Sequence, residues 1–107
     1  MVSFQPVAGE KVLHGEDCAE DNMKSGILIL TDRRLVFQKT EGRMATLSKK
    51  EGEIVLEIPI DKISSVRSEG FLVKKLVVTT SAGQTYKFGV FNTGKWQRQI
   101  KELKGAN

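Results

Sequence analysis

Apolar positions along this chain come in short runs with a spacing of two, broken by turn residues, until residue 92, where the spacing lengthens to that of a helix. EKVLH (Glu10–His14) opens a first strand, and the polar segment GEDCAEDNMKSG, bounded by Gly15 and Gly26, reads as a long loop. GILILT (Gly26–Thr31) and RLVFQKT (Arg34–Thr40) are compact apolar runs, too short for helices. Only Asp32 and Arg33 separate them, which is the spacing of a two-residue hairpin. After a second polar loop, EGRMATLSKKEG, the run EIVLEIPI places Ile54, Leu56, Ile58 and Ile60 on one side and Val55 and Glu57 on the other. That alternation predicts a strand with one buried face, and Pro59 near its end predicts a sheet edge or an exit from pairing. Ile63 and Val66 lead to a turn at Gly70, a β-branched run extends from Val73 to Thr80, and Ala82–Gly83 form the next turn. In QTYKFGV, Tyr86, Phe88 and Val90 point inward and Lys87 outward.

Beyond Asn92 the period becomes helical, with Asn92 or Thr93 as the capping residue and Gly105 as the stop. Trp96, Ile100 and Leu103 share an arc of about 60° at 3.6 residues per turn. Lys95, Arg98, Lys101 and Lys104 occupy the remaining surface. A helix with three apolar residues is marginal alone, so it is expected to dock on an open end of the sheet with Trp96 as the plug. The fold class expected is therefore mainly β: a barrel or sandwich of about seven antiparallel strands closed by a C-terminal amphipathic helix, as one domain over residues 1–107.

In their order and spacing, GILILTDRRLVFQ, EIPIDKISSVR, KKLVVTTSAGQTYKFGV and NTGKWQRQI resemble the pleckstrin-homology-like (PH-like) superfamily, in particular GRAM and prokaryotic PH-like domains. The resemblance covers about Lys11 to Leu103. Its most specific pieces are Thr31, Arg33, Arg34, Leu35 and Phe37 in the hairpin, the Ile58–Ile63 turn, and the aromatic strand leading to a tryptophan-bearing helix. It implies a headgroup site between the loops joining strands one to two and three to four, which fall at His14–Ser25 and Thr40–Gly52. The Asp32–Arg33 turn then lies at the opposite end, so Arg33 and Arg34 are expected as hairpin residues, solvated or paired with carboxylates. A phosphorylated headgroup needs several charge-assisted donors. The first loop instead carries Glu16, Asp17, Glu20 and Asp21 against Lys24, and in the second Arg43, Lys49 and Lys50 are offset by Glu41, Glu51 and Glu53. The family's phosphoinositide-binding residues therefore do not transfer.

Charge changes the picture further. Residues 1–25 hold two basic and five acidic side chains, a net −3; residues 62–107 hold nine basic and two acidic ones, a net +7. Two differently charged surfaces are implied. The basic part offers a route to anionic membranes if Phe71 and Leu72, with Val73, form an apolar tip beside Lys74 and Lys75, with Lys95, Arg98 and Lys101 extending the positive patch; the alternative is that Phe71 and Leu72 pack inward and the lysines are simply solvated. Nucleic acid is disfavoured, because aromatics are few and Tyr86 and Phe88 serve the core. One cysteine, Cys18, and one histidine, His14, supply neither a disulfide nor a zinc site. Glu16, Asp17 and Glu20 surround Cys18 with charge that suppresses thiolate formation. No enzyme activity, cofactor or metal is expected. The expectation is a non-catalytic module for a protein or peptide partner, or one that self-assembles as a homo-oligomer, with weak electrostatic membrane binding as the alternative. No run of about 18 apolar residues, basic-then-apolar leader or glycine after Met1 is seen, which points to the cytoplasm, with the inner membrane face as a peripheral location.

Overall fold

The computed structural model describes residues 6–22, 24–39, 54–70 and 74–105. Seven strands precede one helix: β1 Val12–Glu20, β2 Lys24–Thr31, β3 Arg34–Lys39, β4 Ile54–Pro59, β5 Ile63–Glu69, β6 Lys75–Thr80, β7 Thr85–Gly89 and α1 Thr93–Gly105. A single 3₁₀ turn, Ile60–Lys62, joins β4 to β5. All pairings are antiparallel, and the strands form one sheet in the order β4-β3-β2-β1-β7-β6-β5. Two meanders, β1–β4 and β5–β7, meet where β1 pairs β7, over only two residue pairs, Ala19 with Gly89 and Glu20 with Phe88. The two edge strands, β4 and β5, are consecutive in the chain, so the short 3₁₀ turn brings the sheet's ends together around one core.

That core is made by the inward residues of every strand but one. Leu28, Leu30, Leu35, Phe37, Ile58, Ile63, Val66, Leu76, Val78 and Phe88 converge on Trp96 and Ile100 of the helix. Each large apolar side chain removed from water contributes roughly 1.5–3 kcal/mol. Helix α1 lies against β5, β6 and the 3₁₀ turn. Asn92 caps it: its Oδ1 accepts from the Lys95 backbone N–H at 3.1 Å. Trp96 is wholly buried and Leu103 packs at the margin, as the helical spacing predicts.

The exception is β1, where the structure corrects the sequence reading. The segment read as a loop from His14 to Ser25 is strand as far as Glu20, and β2 already begins at Lys24. The first strand starts at Val12 rather than Glu10. Every second residue of β1 still turns inward, but these residues are His14, Glu16, Cys18 and Glu20. They are polar, so no hydrophobic alternation marks the strand. Two of them stand in for missing ladder bonds. Glu20, buried to 2% exposure, accepts the Lys87 N–H at 3.1 Å and the Asn22 N–H at 2.8 Å. Glu16 accepts the Trp96 indole N–H at 2.9 Å with one oxygen and the Phe91 N–H with the other. Carboxylates thus satisfy the backbone where β1 and β7 part, a requirement that buried N–H groups impose.

Gly26 was expected to bound a loop and instead sits inside β2. A Cβ there would lie 2.6 Å from the Gln38 carbonyl oxygen and against the Phe37 ring, so only glycine admits this close approach. The alternation read through Ile60 ends one residue earlier, since Ile60 is buried but belongs to the 3₁₀ turn. Val55 faces outward as expected.

Candidate interaction surface

The β2–β3 hairpin accounts for the adjacent arginines. Thr31 Oγ1 accepts the N–H groups of Arg33 and Arg34, each at 3.0 Å, and donates to Glu10 Oε2 at 2.6 Å. Arg34 holds Glu10 in a two-point pair, Nε to Oε2 at 2.8 Å and Nη2 to Oε1 at 2.9 Å, and reaches Glu57 at 3.2 Å. Arg34 holds the Glu10 carboxyl down at about 2, below its ordinary 4.5, against the opposing effect of burial and with help from Thr31 and the Val7 N–H. Glu10 and Glu57 in turn raise Arg34. Arg34 is thus consumed in the architecture, and Arg33 is exposed at the turn.

Where a PH-like headgroup loop would be sought, β1 runs to Glu20 and β2 begins at Lys24, and of the four acidic residues assigned to that loop only Asp21 lies between the two strands. Asp21 forms an ion pair with Lys75. Lys75 was expected to serve an anionic surface and is instead half-buried against this carboxylate. Nearby on β5 and β7, Glu69 bridges Lys87 at 3.1 Å and Arg67 at 3.4 Å. Lys87, then Arg67, hold the Glu69 carboxyl below its usual range. Phe71, Leu72 and Val73, the expected apolar tip, lie outside the described residues, as does the whole Thr40–Gly52 loop. Lys74 is exposed.

The helix presents a different kind of surface. Lys95, Arg98 and Lys101 are exposed, and among the described residues none of them is in an ion pair. Lys104, expected in the same solvent series, is half-buried and donates to the Ile63 carbonyl, tying the last turn to β5. A shallow, open concavity of about 410 Å³ is lined by Gly94, Gln97, Arg98, Lys101 and Glu102. Just before the helix stands Phe91, 96% exposed. The sequence reading passed over it, although the alternation placing Phe88 and Val90 inside puts residue 91 outside.

Cys18 and His14 form no reactive pair. Both lie on the inner side of β1 four residues apart, roughly 13 Å along a strand. Burial first, then Glu16, Asp17 and Glu20, push the Cys18 thiol up to about 12. His14 stacks on Trp96, ring centroids 4.2 Å apart, with Nδ1 3.2 Å from Gln99 Oε1. Among the described residues, no group of three His, Cys, Asp or Glu side chains is placed to hold a metal, and no helix is long and apolar enough to cross a membrane.

No protein-family model matches the sequence, and no curated protein is significantly similar to it. The fold does have counterparts. The C-terminal domain of an unknown protein from Leishmania infantum superposes with a TM-score of 0.67 at 18% identity, over 92% of this chain and 87% of that one. The linker-DH/PH domains of p115-RhoGEF give 0.68 at 15% identity, over 94% of this chain and 31% of that one. The DH/PH domains of PDZ-RhoGEF, solved in complex with GTP-γ-S activated RhoA, give 0.57 at 10% identity and cover 94% and 31%. This chain thus spans about a third of the RhoGEF chains. The architecture is a PH-like fold, seven antiparallel strands and a C-terminal helix.

Proposed function

We propose that this chain is a non-catalytic PH-like module that binds a protein or peptide partner. The observation behind this reading is the ion pairing near the β1–β2 end: Lys75 is matched to Asp21, and Lys87 and Arg67 share Glu69, so these cations are already engaged within the fold. The narrower affinity to GRAM or prokaryotic PH-like domains and a single domain over the whole chain belong to the same proposal, supported by motif order and spacing, and a cytoplasmic location is proposed with them. Weak attraction to anionic membranes is the second reading, favoured by the exposed Lys74, Lys95, Arg98 and Lys101.

Sedimentation with phosphatidylcholine vesicles, alone or carrying phosphatidylserine or phosphoinositides, separates the two. A protein module leaves the chain in the supernatant at moderate salt. Selective, salt-resistant retention on one headgroup overturns this reading in favour of lipid recognition, and retention on all anionic vesicles that fades with salt supports the second.

A further inference from the structure

We infer that Phe91 and the outer face of α1 form a docking surface for an acidic peptide segment bearing a large apolar side chain. The inference rests on the protein-partner reading and names the surface and the chemistry of the partner.

Phe91 occupies the position before the helix cap Asn92, where an apolar residue ordinarily packs onto the fourth helical residue and staples the entry of the chain. Here that fourth residue is Trp96, wholly buried and stacked on His14, and Phe91 is left 96% exposed. Its backbone is nonetheless fixed. Glu16 accepts the Phe91 N–H with one oxygen while the other holds the Trp96 indole, so the ring projects from a braced position. With the backbone braced, only the two side-chain torsions of the ring are left to order on binding, a small cost for an interface anchor.

Lys95, Arg98 and Lys101 follow on an arc of about 120°, spread over roughly 9 Å of helix. An extended peptide covers that length in about three residues. The cations that stabilise the sheet have carboxylate partners, whereas among the described residues these three have none in an ion pair. Acidic side chains complement them, and Arg98 offers a planar fork suited to a carboxylate. Two observations favour a peptide over a lipid surface. Arg98 and Lys101 border a concavity, notched where Gly94 has no side chain, and a recess suits a discrete side chain. Glu102 lies in the same lining, where it would oppose a uniformly anionic plane.

The test selects binders from a random-peptide display library on the full chain, measures them against variants, and assays phosphatidylserine–phosphatidylcholine vesicles in parallel. The expected pool is enriched in Asp and Glu beside an aromatic or large aliphatic residue. Its affinity falls at least about tenfold with Phe91→Ala and with the double change Arg98→Glu, Lys101→Glu, and stays within about twofold with Lys74→Glu. Thermal unfolding of each variant checks that the fold is kept. A pool without acidic enrichment, or one indifferent to Phe91 and the helix cations, overturns the surface while leaving a protein-binding module standing. An empty selection overturns the inference as well. If vesicles then bind and Phe91→Ala releases them, the protein-partner reading falls with it.

Discussion

Four basic side chains of the sheet and three of the helix stand in opposite situations. Arg34, Arg67, Lys75 and Lys87 each face a carboxylate, and Arg34 faces two. Lys95, Arg98 and Lys101 share no such contact among the described residues. The net +7 of residues 62–107 therefore overstates the charge available on the sheet and describes the helix better. Formal charge is a property of composition; available charge is what the fold leaves uncompensated.

Removing a cation from each group measures the contrast. The largest effect is expected at Arg34. Arg34→Ala leaves the buried Glu10 carboxylate without its main partner and should cost about 3–5 kcal/mol in chemical denaturation. A loss below 1 kcal/mol would place Arg34 among the dispensable surface charges. Arg34→Lys should recover only part of the loss, because an ammonium does not reproduce the two-point fork.

Acid probes the same pair from the other side. Glu10 has a folded pKa of about 2, below its ordinary 4.5, so its contribution is fully present above pH 4.5 and is lost as pH falls through about 2. The gap in melting temperature between the native chain and Glu10→Gln should narrow steadily over that interval. A gap independent of pH there would show that the carboxylate is not the stabilising species.

Smaller effects follow. Lys75→Ala breaks a partly exposed pair with Asp21 and should cost no more than about 1 kcal/mol, an effect that weakens with added salt. Replacing Lys95, Arg98 and Lys101 together by glutamine should change stability by no more than about 0.5 kcal/mol per site. A substantial destabilisation by the triple change would mean that these cations brace the fold, and the contrast with the sheet would dissolve.

How much of this was legible beforehand depended on where chemistry and pattern coincide. The β2–β3 hairpin and α1 were readable because their buried residues are apolar and regularly spaced: Leu28 and Leu30, Leu35 and Phe37, then Trp96 and Ile100. The β1 strand was readable only at its start, through His14, because beyond it the inward carboxylates are used for hydrogen bonding to β7 and α1 rather than for apolar packing. Its true signal was the alternation of His14, Glu16, Cys18 and Glu20 with outward residues, a period of two written in polar letters. Gly26 looked like punctuation because sequence does not show a ring lying over a backbone. Of the expected binding residues, Lys74, Lys95, Arg98 and Lys101 are exposed as read, Lys75 is tied to Asp21, and Phe71 and Leu72 lie outside the described residues. The ion pair was hidden because Asp21 and Lys75 are 54 residues apart and no local rule connects them.

The carboxylate of Glu16 also sets a schedule for assembly. Its indole partner lies 80 residues further along the chain. Until Trp96 has left the ribosome, His14 lacks its stacking partner and one oxygen of Glu16 lacks its indole donor, so a nascent chain that stops short of the helix holds a strand whose inner side is only partly satisfied. Closure therefore awaits an encounter between the first strand and the last element. Contacts this distant in sequence slow folding, so the separation of Glu16 from Trp96 is a drag on the folding rate that a local contact would not impose.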